Sequence, residues 1–410
     1  MPNLSEKPMD TRRLRVLSIA PTSFFADYGC HVRILQQTLA LQDRGHQVRV
    51  LTYPTGWDVP GVQTSRALGW PGLREVQIGP QPAKIPLDAA LLAHSLGFAR
   101  RWRPDVVCGY LHEGALIGRF VSRVQRVPLA FDFQGSLAGE LAGHGWLKRQ
   151  GAAYRFFRRL ERWIHGLPDV TMCSSQHAVD RLEREGHSRR VRVLPDCVDT
   201  ALFDPSRFGK ADRASLKARL GIPDGKPVVV YLGLLGEHQG ISLLLRAAAC
   251  WPGGAPDIHF LVMGYPSVET YRQMAGEMGL SDKVTFTGKV RYEEAPLYLS
   301  LGDVAAAPKV SDSEGHGKLL NYMAMQLPTV AFDAPVSREY LGEQGRYAAF
   351  GDAESLARRL VELLSAEERA AIGEALRRRV QAHFSCETVG ASVEAALLPL
   401  VGAGGQDGIR

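Results

Sequence analysis

Six cysteines in 410 residues, Cys30, Cys108, Cys173, Cys197, Cys250 and Cys386, are too scattered for a disulfide scaffold, and none has the C-x-x-C spacing of a zinc cluster. Reduced, mostly buried thiols are expected. The chain has no H-x-x-x-H or H-E-x-x-H pair and no run of paired carboxylates, so no metal site is expected. Neither half has a G-x-G-x-x-G after its first strand, which leaves a dinucleotide-dependent dehydrogenase without support. Long apolar runs are missing as well. The apolar patch that follows the basic N-terminal residues stops at Pro21, too short for a signal sequence or a membrane span, so the protein is expected to be made and kept in the cytosol. What remains, 45% hydrophobic and 22% charged residues over this length, is the composition of two packed globular domains.

Charge is uneven. The net charge is +6, but residues 1–200 carry +9 and residues 201–410 carry −3. A basic half can face phosphates or an anionic membrane, or it can simply be solvated.

Short β-branched runs alternate with longer amphipathic stretches, the pattern of βαβ units and parallel sheets. Strands are expected at Leu14–Ala20, Gln47–Thr52, Asp105–Gly109, Leu129–Phe133, Val170–Cys173 and Val191–Leu194. A second set is expected at Val228–Leu232, His259–Met263, Val284–Phe286, Val304–Ala306, Thr329–Phe332 and Ala348–Phe350. Each set opens with a buried strand, a Gly-containing loop and a helix. The segment PDCVDTALFDPSRFGKADR between the sets reads as a linker, with the boundary near Pro205. The expected fold is α/β, two Rossmann-like domains facing across a cleft, with ligands at the carboxyl ends of the strands.

The richest local signal is SDSEGHGKLLNYMAMQLPTVAF, residues 311–332. A polar, Gly-rich loop leads into a helix that starts near Gly317 and buries Leu319, Leu320, Met323 and Leu327. Such a loop offers free backbone N–H groups to an anion, and Lys318 adds a full charge. Glu314, His316 and Lys318 fall within five positions.

With these pieces in order, the chain resembles the retaining, metal-independent glycosyltransferases of family four, which have the GT-B fold. The resemblance covers nearly the whole chain: Gly29 before the first helix, RGHQVRVL after it, His112 in GYLHEGA, SSQHAV after a strand, PDCVDTALF, and the EGHGKLLNYMA loop and helix. It implies transfer of a sugar from a nucleotide-diphosphate sugar, UDP- or GDP-linked, to a glycan, lipid or small-molecule acceptor with retention of configuration. No cofactor is implied, because the nucleotide sugar is itself a substrate. Residues 1–205, joined by a C-terminal helix at 388–410, would hold the acceptor, and residues 206–387 the donor. Position by position, Gly29 and Gly233 would admit the diphosphate, His112 would meet the donor sugar, and Glu314 would hold its hydroxyls. The amides of Gly315, His316 and Gly317 would face the diphosphate or sugar. Asp132 and Gln134, after another strand end, are acceptor-side candidates, although polar residues also form ordinary turns there.

Two departures matter. Asn321 stands where a Glu that grips the ribose is expected. Leu234 and Gln239 stand where the family places an Arg and a Lys that neutralise the leaving diphosphate. Lys318 and the helix N-termini would then carry that task, as catalytic and donor-binding groups. Two alternatives stay open: a GT-B sugar-nucleotide 2-epimerase, and a catalytically reduced homologue that binds nucleotide or glycan and supports a partner enzyme.

The stretch 148–168, KRQGAAYRFFRRLERWIHGLP, explains much of the charge asymmetry. At 100° per residue Arg155, Arg158, Arg159 and Arg162 share a face opposite Phe156, Phe157, Leu160, Trp163 and Ile164. The helix either packs its apolar face into the first domain or lies on an anionic bilayer at the inner face of the cytoplasmic membrane. Nucleic acid is not an expected partner.

Overall fold

The computed structural model describes the chain except residues 1–11, 27–28, 70–72, 74–75, 77–83, 144–146, 149–150, 188–189, 311–314 and 404–410. The first domain runs β1 (Arg15–Ala20), α1 (Gly29–Asp43), β2 (Gln47–Thr52), β3 (Thr64–Arg66), α2 (Ile85–Trp102), β4 (Val106–Tyr110) and α3 (Leu111–Gln125). It continues with β5 (Leu129–Phe133), α4 (Leu137–Gly143), α5 (Ala152–His165), β6 (Val170–Cys173), α6 (Gln176–Arg184) and β7 (Val191–Val193). The second runs α7 (Lys210–Leu220), β8 (Val228–Leu232), α8 (Ile241–Ala249), β9 (His259–Met263), α9 (Val268–Glu277), β10 (Val284–Gly288), α10 (Ala295–Leu299) and β11 (Val304–Ala307). It ends with α11 (Lys318–Ala324), β12 (Thr329–Phe332), α12 (Pro335–Leu341), β13 (Arg346–Ala348), α13 (Ala353–Ser365) and α14 (Arg369–His383), and α15 (Cys386–Ala403) closes the chain.

Both sheets are parallel, ordered β3-β2-β1-β4-β5-β6-β7 and β10-β9-β8-β11-β12-β13. β4, β5, β6, β9, β11 and β12 are buried along their whole length, as helices on both faces require of continuous apolar runs. In each sheet the order reverses beside the first strand, between β1 and β4 and between β8 and β11. Helices leave to opposite faces at such a point, so a crevice opens at the strand carboxyl ends. The loops after β1, β4, β8 and β11 therefore line the cleft.

Most strands lie where the hydrophobic runs predict. The exceptions are edge strands. β3 is short, polar and half-buried, so no apolar run announces it. β13 pairs Arg346 with Val330 of β12, two residues ahead of the expected Ala348–Phe350, and Phe350 is left exposed.

The chain changes core earlier than Pro205. Leu194 and Cys197 pack in the first core, whereas Val198 and Phe203 pack in the second. It returns just after Phe384, which belongs to the second core, and Val389, Val393 and Leu397 of α15 fill the first. α15 lies along α1, where Gly390 is needed because a Cβ there would come within 3.0 Å of the Ala40 side chain. Its Glu394 accepts from Arg44 Nε at 2.8 Å and pairs with His46 Nε2 at 2.9 Å. His46 Nδ1 accepts the Leu14 N–H, so the ring proton sits on Nε2 and donates to Glu394. Leu397 has no solvent exposure, and Leu397→Ala should lower the unfolding free energy by about 2–5 kcal/mol, measured by urea denaturation.

Candidate active site

The second-domain wall of the cleft is built by close backbone approaches. Gly233, at φ +151°, follows β8, and a Cβ on Gly264 would fall 1.9 Å from its carbonyl oxygen. Gly240, at φ +76°, comes so near that a Cβ would meet the Pro308 carbonyl at 1.7 Å. Only glycine allows either contact. These contacts pin the 233–240 loop beside the end of β11, upstream of Gly315–Gly317 and α11.

Lys318 opens α11 and reaches back under that loop. Its Nζ donates to Gln239 Oε1 at 3.0 Å and Tyr231 Oη at 3.2 Å and lies 4.3 Å from the Tyr231 ring centroid. A Cβ on Gly233 would sit 2.7 Å from that nitrogen. Leu234 is half-buried and contributes its carbonyl, which accepts from Tyr231 Oη at 2.7 Å. The cation thus stands between Gly233 and the buried Gln239. Asn321 lies one turn along α11, half-buried.

Lys309, which periodicity did not single out, is buried after β11, and its Nζ donates to the Gly315 carbonyl at 2.7 Å. His316 is buried with Nδ1 3.4 Å from Ser337 Oγ, while its buried Nε2 has no hydrogen-bond partner among the described residues. Burial, reinforced by the charges of Lys309 and Lys318, holds its pKa well below the ordinary histidine value, so the ring is neutral. Glu314 lies outside the described residues. Gly315 and Gly317 face the end of the first domain: a Cβ on Gly315 would meet Asp196 Oδ2 at 2.6 Å and Ser174 Oγ at 3.1 Å.

Asp196 belongs to a buried charge network absent from the sequence expectations. Arg33 of α1 makes a bidentate pair with Asp132 at the end of β5, its NH1 donates to Asp196 Oδ1 at 2.8 Å, and its NH2 donates to the Leu194 carbonyl at 2.9 Å. Asp132 is fully buried, and it also accepts from Gln37 and Gln134 at 3.1 and 2.8 Å. Its carboxylate therefore orients Arg33, and Gln134, half-buried, has its amide on Asp132. The second domain joins through α12: the Tyr340 hydroxyl donates to the Ser174 carbonyl at 2.9 Å and accepts from the Asp196 N–H at 3.3 Å. Beside it the Glu339 carboxylate accepts the Gln176 N–H at the start of α6.

The opposite wall carries Gly29, exposed as the first residue of α1 with open space on its Cβ side. His31 follows, buried. It accepts the Ala26 N–H on Nδ1 at 2.8 Å, so Nε2 carries the proton and donates to Thr22 Oγ1 at 2.5 Å. Burial and the charges of Lys84 and Lys289 keep it neutral. Tyr265 Oη donates across the cleft to the Ala26 carbonyl at 2.6 Å.

His112 is the second residue of α3, after Leu111, whose φ of +60° turns the chain sharply out of β4. The ring is buried over Phe131 and Phe133, with Nε2 3.3 Å from His165 Nε2 and 3.8 Å from Glu161 Oε1. Those three residues could hold a metal ion by geometry. The charge balance argues for an ion-pair cluster, because Arg158 at 3.0 Å and Arg181 at 3.4 Å already neutralise Glu161. His165 Nδ1 and Arg158 also bond Glu185; burial alone would raise its pKa, but those bonds and charges bring it down to about 2.

Of the residues expected from sequence, the structure brings together Gly233, Gln239, Gly315, His316, Gly317, Lys318 and Asn321 on one wall. Gly29 stands on the other, and Asp132 and Gln134 support it from behind through Arg33. His112, just past the end of β4, is buried with His165 and Glu161 on the first domain.

Known proteins match this arrangement. The family model for the glycosyl transferase 4-like domain matches residues 28–197, and that for glycosyl transferases group 1 matches residues 212–379. The sucrose-phosphate synthase of Thermosynechococcus elongatus superposes with a TM-score of 0.80 at 20% identity, covering 95% of this chain and all of that one. Anabaena HepE in complex with UDP and glucose superposes at 0.76 and 16% identity, covering 94% and 99%. The chain belongs to the GT-B-fold glycosyltransferases whose two halves these models describe. Among curated relatives, the 2-deoxystreptamine N-acetyl-D-glucosaminyltransferase of Streptomyces fradiae is 27% identical over 350 residues, 78% of either chain. The D-inositol 3-phosphate glycosyltransferase of Mycolicibacterium gilvum is 26% identical over 74% of this chain and 71% of its own.

Arg33→Met would leave the two carboxylates buried without their cation. It should cost about 3–5 kcal/mol of stability, and the added change Asp132→Asn should return part of it, both read from chemical denaturation.

Proposed function

We propose that the protein transfers a sugar from a nucleotide-diphosphate sugar to an acceptor hydroxyl with retention at the anomeric carbon. The donor binds the second-domain wall, and the acceptor, a glycan, a lipid-linked group or a small polyol, enters from the basic first domain. The observation that carries this reading is Lys318 Nζ between Gly233 and Gln239. Relatives are expected to hold cations on that loop, and here α11 supplies one instead. As the sugar bond breaks, negative charge gathers on the departing diphosphate, and an oriented ammonium in a water-poor cleft stabilises that state more than the bound donor. The proposed chemistry uses side-chain charge and the Gly315–Gly317 amides in place of a metal ion. Glu314, by its place beside Gly315 in the chain, is assigned to the sugar hydroxyls. Support for a UDP-type donor comes from HepE, described with UDP and UDP-glucose. Support for a polyol acceptor comes from the 2-deoxystreptamine and inositol-phosphate transferases.

A thermal-shift screen with UDP, GDP, ADP and CMP sugars tests donor binding, since a ligand of the folded state raises the melting temperature. With the donor in hand, Lys318→Ala should lower kcat by roughly 10²–10³ with a smaller effect on donor affinity, and Gln239→Lys should restore part of the rate. An unchanged kcat would remove Lys318 from the chemistry.

The same reading puts the acceptor side against an anionic bilayer. Among the described residues no helix is long and apolar enough to cross a membrane. α5 buries Glu161, Ile164 and His165, leaving Phe156 and Trp163 exposed beside exposed Arg155, Arg159 and Arg162. Of the two arrangements expected for this stretch, core packing holds for Ile164 and Leu160, while Glu161 and His165 also turn inward and the Phe156 and Trp163 rings turn outward. Arginines next to exposed aromatic rings suit a lipid headgroup layer. Sedimentation with anionic vesicles should fall as salt rises, because charges are screened over about 8–10 Å near ~0.1–0.15 M salt, and Trp163→Ala should weaken it. Equal retention by neutral vesicles would refute the electrostatic part.

A further inference from the structure

Cys197 and Cys386 are 189 residues apart in the chain, yet their Sγ atoms lie 2.9 Å from one another. That is less than an ångström beyond the ~2.05 Å of a disulfide bond. Both are free thiols. Their neighbours hold them there: the Val198 N–H donates to the Phe384 carbonyl at 3.0 Å, and Val198 and Ser385 form a parallel bridge. These are the two segments in which the chain passes from one core to the other, Cys197 and Cys386 marking the first-domain side of each. Any change in the relative position of the domains must bend the two crossings immediately beside the pair.

We propose that Cys197 and Cys386 are an oxidation site, a dithiol that closes to a disulfide joining the two interdomain crossings where they leave the first domain, and so restrains the cleft. The oxidant is a small-molecule disulfide, RSSR. Cys386 is half-buried and Cys197 buried, so the reagent reaches Cys386 first. The Cys386 thiolate attacks one sulfur of RSSR, giving a mixed disulfide and RS⁻. The Cys197 thiolate then attacks the Cys386 sulfur and expels the second RS⁻. Two protein thiols lose two protons and two electrons, and RSSR becomes two RSH. The bond closes a loop around the whole second domain and ties both crossings together. Asp196, next to Cys197, lies against Gly315, so the restraint is applied beside the donor loop.

The test uses the full-length protein and glutathione disulfide. Expected are a mass loss of two hydrogens, a cross-linked peptide joining residues 197 and 386 under non-reducing digestion, a rise in melting temperature, and reversal by dithiothreitol. Cys386→Ser should fold with the melting temperature of the reduced parent and lose both the cross-link and the rise. Restraint of the cleft is read separately at the Gln176 amide, which bonds Glu339 across the domains: its hydrogen exchange should slow on oxidation. A cross-link through any other cysteine pair, or a glutathione adduct that never resolves, overturns the site. A 197–386 cross-link with unchanged exchange at Gln176 overturns the restraint of the cleft.

Discussion

The guanidinium of Arg33 is the interaction on which the cleft depends. It is buried between Asp132 and Asp196. A buried ion needs partners in fixed places, so α1, the end of β5 and the interdomain segment are held in one geometry. Asp196, fixed from one side by Arg33, presents its other oxygen to the space that a Gly315 side chain would fill. The glycine of the donor loop is thus explained by a residue of the opposite wall. Tyr340 and Glu339 complete the contact from the second domain.

That arrangement relates charge to chemistry on the two walls. The first wall faces the cleft with neutral His31 and with carboxylates already paired to Arg33. The second contributes Lys309 and Lys318, both close to the loop that follows β11. In the proposed reaction these two cations, where the order of the second sheet reverses, mark the place of the diphosphate. In that proposed reaction Lys318, beside Gly233 and Gln239, takes the part of the two loop cations missing at Leu234 and Gln239.

The first domain has a second charged centre, beside the end of β4. Glu161 and Glu185 gather His112, His165, Arg158 and Arg181 under α5. Burying this cluster together with Ile164 uses the side of α5 between its arginine and apolar faces, and it leaves Phe156 and Trp163 outside. A helix that satisfies charges inward and exposes rings outward has a surface suited to an interface.

The sequence by itself determined the two parallel sheets, nearly every central strand, the helix starts after β1, β8 and β11, and the Gly-rich loop with Lys318. These are legible because buried parallel strands are runs of apolar residues and because a loop-to-helix anion site is contiguous in the chain. The edge strands β3 and β13 were obscured, since half-buried polar residues leave no period. Only the tertiary structure decided the roles of Arg33, Asp196, Lys309 and the cysteine pair. Arg33 sits in an ordinary helical pattern, and its partners lie 99 and 163 residues away; Cys197 and Cys386 are farther apart still. Such contacts are made when two domains dock, and local composition carries no record of which distant residue a side chain will meet.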